Sequence, residues 1–193
     1  MNLENQFLEI KSLIVQARNK AYQAVNKESI LLNWSVGEYV SAKLMSSSWG
    51  DGVVAQLAEY LKIQEPNLKG FDKREIYRMV QFYETYSDNE FVVTVTPQLK
   101  MLAKSNVVTL SPQIQSNDNQ SDVIVSSLMT QLSWSHHIQI LTSCKTAEEK
   151  LFYILMSSKE RWSVRDLRRQ IKAATFERTM LGNQQVEQLK DEI

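Results

Sequence analysis

Four cations recur at helical spacing towards the end of the sequence. Arg165, Arg168, Arg169 and Lys172 stand at i, i+3, i+4 and i+7, so a helix there carries them on one face. A row of guanidinium and ammonium groups neutralises phosphates, the sequence-independent part of nucleic-acid binding. The same spacing with mixed chemistry occurs at Arg74, Tyr77, Arg78 and Gln81. Arg bonds guanine bidentately and Gln bonds adenine, so this set suits the reading of base edges from the first half of a recognition helix. Each face has a plainer alternative, the solvated side of an amphipathic helix.

Other chemistry-bearing groups point elsewhere. The neighbours His136 and His137 project about 100° apart on a helix, which sets them poorly for one metal ion, and no carboxylate lies three or four residues from either. One packed and one exposed imidazole is the expectation, with the packed one beside Trp134. Cys144, the single cysteine, excludes an internal disulfide and reads as a small buried residue. Glu148-Glu149-Lys150 has the form of the end of a nuclease carboxylate motif. A metal-dependent nuclease needs a further converging acid, and Glu149 sits where it serves the start of a helix behind Thr146. No metal, cofactor or catalytic set is expected, and the chain reads as a non-enzyme. Trp34, Trp49, Trp134 and Trp162 read as core residues.

Composition narrows the field further. The 193 residues carry 22 basic and 22 acidic side chains, so the molecule as a whole is no polycation and any polyanion site must be local. Lys159 to Met180 supplies one, with seven basic residues against Glu160, Asp166 and Glu177. Five glycines form no phosphate-cradling pattern. The first residues lack an apolar run long enough for a signal peptide or membrane span, so a cytoplasmic protein is expected.

Apolar periodicity supplies the elements that hold these groups. Leu3, Phe7, Ile10, Ile14, Ala17, Ala21 and Ala24 step by four and three, a heptad stripe on a helix. Leu32, Val36, Tyr39, Val40 and Leu44 follow in a different phase, so the helix either kinks near Asn26 to Ser29 or changes partner there. Continuous to Met45, it would span about 65 Å at 1.5 Å per residue and need a neighbour. That neighbour is either another part of the chain or a second copy, with Leu3, Phe7, Ile10 and Ile14 as the dimer seam.

The expected organisation is a long helical element over 1–50, a helix-turn-helix-like unit over 51–86, a polar linker or insertion over 87–127, a second helical unit over 128–180 and a polar tail over 181–193. In the first unit Val54, Leu57, Ala58 and Leu61 form one core face, and Asp72 with Glu75 caps a helix burying Ile76, Met79, Val80 and Tyr83. Within the insertion the β-branched runs Phe91 to Val95 and Asn106 to Leu110 suggest a small hairpin or wing. Later helices are expected over Ile124 to Leu132, after Ser133, after Thr146 and after Ser163, the last with Val164, Leu167, Ile171 and Ala174 inside.

Several phrases together resemble a bacterial family, the YhcG-type proteins, whose C-terminal half is a PD-(D/E)XK nuclease domain. They are LLNWSVGEYV at 31–40, Trp49-Gly50 with Leu57-Ala58, NLKGFDKREIYRMVQFYETY at 67–86, QLSWSHHIQIL at 131–141, EEKLFYILMSSKERWSVRDLRRQI at 148–171 and FER at 176–178. The resemblance is to the N-terminal domain and covers most of residues 10–180, with 87–127 divergent. It implies a part that positions a nuclease on DNA or assembles the enzyme; the nuclease itself is expected to be absent from this chain.

The reading is therefore an all-α, non-catalytic DNA-binding or DNA-positioning module that accompanies a nuclease domain or partner chain and forms a homo-oligomer. The alternative is a protein–protein assembly module, for dimerisation or nuclease docking, with no DNA contact.

Overall fold

A computed structural model describes residues 3–46, 49, 50, 52–104 and 127–181. Helices α1 (Leu3–Met45), α2 (Val53–Gln64), α3 (Lys73–Ser87) and α4 (Asn89–Lys104) are followed by a 3₁₀ turn at Met129–Gln131. Then come α5 (Trp134–Ser143), α6 (Ala147–Lys159), α7 (Val164–Lys172) and a last helical stretch, α8, over 175–181. The fold is all-α, with no strand among the described residues.

Helix α1 runs unbroken, so the change of phase near Asn26 is a change of partner and not a break. Every residue from Leu3 to Val25 is exposed. Contact with the body begins at Asn26, whose side-chain amide donates to the carbonyls of Thr130 at 2.8 Å and Leu132 at 3.0 Å. Beyond it Ile30, Asn33, Trp34, Gly37, Val40 and Ser41 are buried. At 100° per residue these lie almost opposite the Leu3–Ala24 stripe; of the expected second stripe only Val40 is buried, Val36 and Leu44 are half-buried, and Leu32 and Tyr39 are exposed, because the side that meets the body is centred on Gly37.

The central packing partner is α3, which touches α1, α2, α4 and α5. Gly37 sets the α1–α3 spacing: a Cβ there would fall 2.1 Å from the Met79 carbonyl oxygen and 3.0 Å from Tyr83 Cβ. Glycine inside a helix costs about 1 kcal/mol relative to alanine, so its presence here reflects this close approach. Ser41 donates to Glu84 at 2.7 Å across the same interface. Val40, Val54, Ile76 and Val80 close a small core under α2, joined by Leu57 and Ala58, while Leu61 is half-buried on the same helix.

The larger core is built on Phe82, whose ring meets Trp34, Tyr86, Trp134 and His137 edge to face. Of the four tryptophans Trp34 is buried and the other three are half-buried against the cores. His137 is fully buried and meets Phe82 and Tyr86 edge to face, sharing the Phe82 ring with Trp134; His136 is half-buried, not exposed. His137 Nε2 donates to the Met129 carbonyl at 2.9 Å, and the Tyr86 hydroxyl faces Nδ1 at 3.4 Å. Burial lowers its pKa to about 4, so the ring is neutral, and the same burial raises that of Tyr86. His136 is tied by Nε2–H to the Trp162 carbonyl at 2.9 Å and by Nδ1 to Ser133 Oγ at 2.7 Å. Ser133 thus spends its hydroxyl on an imidazole and makes no side-chain cap to α5.

The expected wing over Phe91 to Val95 is instead the first turn and a half of α4. An alternating strand would place Phe91, Val93 and Val95 on one side. Phe91 and Val95 are buried, one helical turn apart, while Val93 is 71% exposed, so the burial period is four and not two. Asp88 starts the helix by accepting the Glu90 N–H, and Thr94 and Thr96 turn their hydroxyls back onto the carbonyls of Glu90 and Val92, which accommodates β-branched residues in a helix. Asn106 to Leu110, 124–126 of the next expected helix and the tail beyond Leu181 lie outside the described residues; Met129–Gln131, inside that expected helix, is a 3₁₀ turn.

Three helix starts resolve into different bonds. Asp72 accepts the Glu75 N–H at 3.0 Å, but the Glu75 carboxylate turns away to Arg78 and Trp134. Thr146 accepts the Glu149 N–H while Glu149 accepts that of Lys145 at 2.7 Å. Ser163 and Asp166 form a complete capping box.

Candidate interaction surfaces

The nine-residue helix α7 hangs its cations outward by burying one side chain. Leu167 is fully buried, Val164 and Ile171 are half-buried beside it, and the Ser163–Asp166 box fixes the start of the helix. Arg165, Arg168, Arg169 and Lys172 are all exposed on the remaining circumference. Arg168 Nε donates to Gln139 at 3.1 Å, anchoring α7 to α5, and Arg169 pairs with Asp166 at 3.0 Å. The Ser163 hydroxyl and N–H, with Arg169 nearby, hold the Asp166 carboxyl below its ordinary pKa. Both Arg side chains keep most of their donors free for a polyanion, since a guanidinium carries five.

On α3 the second set divides. Arg74, Tyr77 and Gln81 are exposed, Tyr77 at 43%. Arg78 is half-buried and ion-paired with Glu75, whose other oxygen accepts the Trp134 indole N–H at 3.2 Å. Arg78 therefore ties α3 to α5 through Glu75, a role its sequence spacing did not signal. Helix α5 packs against both α3 and α7.

Neither the histidines nor the Glu-Glu-Lys tripeptide converge on a substrate position. Lys150 Nζ donates to the Lys145 carbonyl at 2.7 Å, and Glu149 bonds the N–H of that same residue, so the pair closes the loop before α6. Cys144 is buried, and burial with the Glu149 charge pushes its thiol up to about 12. No group of three metal-ligating side chains occurs among the described residues. Nor is any described helix long and apolar enough to cross a membrane.

The most unusual surface is the free half of α1. Leu3, Phe7, Ile10 and Ile14 are 54–63% exposed along one line, and Phe7, Ile10, Lys11, Ile14 and Val15 border a shallow apolar groove. The heptad reading found this line but missed its width. Leu8, Val15 and Tyr22, seven residues apart, add a second apolar line on the side that further along faces the body, and Leu13 and Val25 are also exposed. The signal was present as a second seven-residue repeat. Seven large apolar side chains between Leu3 and Val15 leave several hundred Å² in solvent, the scale at which a patch marks an interaction site and close to the ~800 Å² per partner that a stable interface buries.

No curated protein and no solved structure matches the chain. One family does, over residues 9–121 and 117–178, which takes in the arm from Glu9 on, the α1–α3 crossing and the basic helix α7 and agrees with the resemblance carried by the sequence phrases. The chain belongs to the family of the DUF1016 N-terminal domain.

Proposed function

We propose that this domain is an assembly module that joins copies of its own chain through the free half of α1. One observation carries the reading: an apolar helical arm of about 35 Å, continuous with a helix anchored in the core, stands wholly exposed from Leu3 to Val25. Most helical stability in proteins comes from packing of an apolar face, and pairing this one supplies that packing and removes the exposed surface. Phe7→Asp is the direct test. Because Phe7 touches no core, the variant should keep its thermal stability at low concentration while its mass by light scattering drops to that of one chain. A Phe7→Asp protein with unchanged assembly, or a wild-type chain that is monomeric at micromolar concentration, removes the reading.

A second reading rests on a different observation, the four exposed cations of α7. Their row suits phosphate contacts, so an assembled module would also hold nucleic acid for a companion nuclease, in keeping with the family resemblance. Arg74, Tyr77 and Gln81 would then supply any base discrimination.

A further inference from the structure

We infer that two arms pair antiparallel, centred near Ser12, so that the partner's arm covers the stripe from Leu3 to Ala21 and the two bodies lie at opposite ends. This rests on the assembly reading above and adds its geometry. The stripe is unevenly filled. Its distal half carries Leu3, Phe7, Ile10 and Ile14, and its half nearer the body carries Ala17, Ala21 and Ala24. In a parallel pair each residue meets its own copy, so rings and branched chains crowd one end while alanines face alanines at the other. An antiparallel pair places heptad position a against d. With residue numbers summing to 24, Leu3 then meets the partner's Ala21, Phe7 meets the partner's Ala17, and Ile10 meets the partner's Ile14. Large fills small towards both ends of the overlap, and paired isoleucines fill its centre.

The flanks agree with this register. Glu4, Lys11 and Arg18 repeat by seven along one edge of the stripe. A twofold axis perpendicular to the arms brings like edges together, which puts Glu4 within about 3 Å of axial offset from the partner's Arg18, twice in each pair. The two Lys11 side chains then lie near the centre, where their long stems carry the ammonium groups apart into water. In a parallel pair the opposing edges would match Gln6 with Lys11, Leu13 with Arg18 and Lys20 with Val25, and form no ion pair.

Disulfide trapping separates the orientations. Cys144 is buried and stays out of the exchange, so introduced thiols report alone. Phe7→Cys and Ala17→Cys chains, oxidised separately, should give little linked dimer, since each residue lies about 15 Å along the axis from its own copy. Mixed and re-equilibrated, the two should give mainly the Phe7→Cys to Ala17→Cys heterodimer. Linkage within each variant alone, or a dimeric mixture with no cross-link between variants, overturns the antiparallel register while the assembly reading stands. A wild-type chain that scatters as a monomer overturns both.

Discussion

Single side chains here act mainly through burial and close approach. Gly37→Ala adds a methyl group 2.1 Å from the Met79 carbonyl oxygen, too near for rotamer adjustment because the obstacle is backbone. Overpacking of this kind costs about 1–3 kcal/mol or more, and the gain of roughly 1 kcal/mol in helix propensity offsets only part of it. The variant should unfold at lower urea concentration than wild type, and equal or higher stability would mean that α1 and α3 are further apart than described. His137 gives a pH signature. Its folded pKa, about 4, lies below the ordinary 6.5, so between these values the unfolded chain binds a proton that the folded chain refuses. The stabilisation is complete above about pH 6.5 and is lost as pH falls towards 4, on the order of 3 kcal/mol across the window. His137→Gln retains an N–H for the Met129 carbonyl but cannot titrate. Its stability should fall less steeply over pH 6.5 to 4 than that of wild type, as measured by urea unfolding at each pH; parallel curves would contradict the buried neutral ring.

Among the elements, those with a strong helical period were legible and those with competing signals were not. Asn26 marks the point where α1 meets the body; the end of the first stripe at Ala24 was legible, but the second stripe was not, since Leu32 and Tyr39 are exposed and the buried side includes the polar Asn33 and Ser41. Phe91 to Val95 misled because β-branched residues favour strands, while the deciding facts, the Phe91 and Val95 contacts with the core, lie in tertiary structure. The helix start at Ser163 was read from the sequence, its box with Asp166 was not; nor was it legible that Glu75 would leave Asp72 for Arg78 and Trp134, since Trp134 lies 59 residues away. Helix α7 offers the element-scale test of the second reading. Replacing Arg168 and Arg169 by Ala leaves Leu167 buried and the capping box intact, so the fold should survive. In gel shifts over a salt series, affinity for all duplex sequences should weaken and the salt slope should fall by about two, roughly one per lost phosphate contact. Unchanged affinity and slope would remove α7 as a nucleic-acid face.

The described residues divide into a body built round two buried cores and an arm that buries nothing. Two cores bury apolar side chains of α2 to α7 together with the second half of α1, while Tyr60, Ile63 and Val93 stay exposed on the body. The arm carries a comparable density of apolar residues with nothing over them among the described residues, and zero net charge on the chain gives no long-range repulsion to hold copies apart. The sequence showed the stripe Leu3, Phe7, Ile10 and Ile14 but left open whether the chain itself covers it; among the described residues the body lies on the opposite side of α1. Sedimentation equilibrium of the wild-type chain across the micromolar range therefore tests the central claim most directly. The account predicts the mass of two chains, shifting towards one on dilution, whereas the mass of a single chain at every concentration would contradict it.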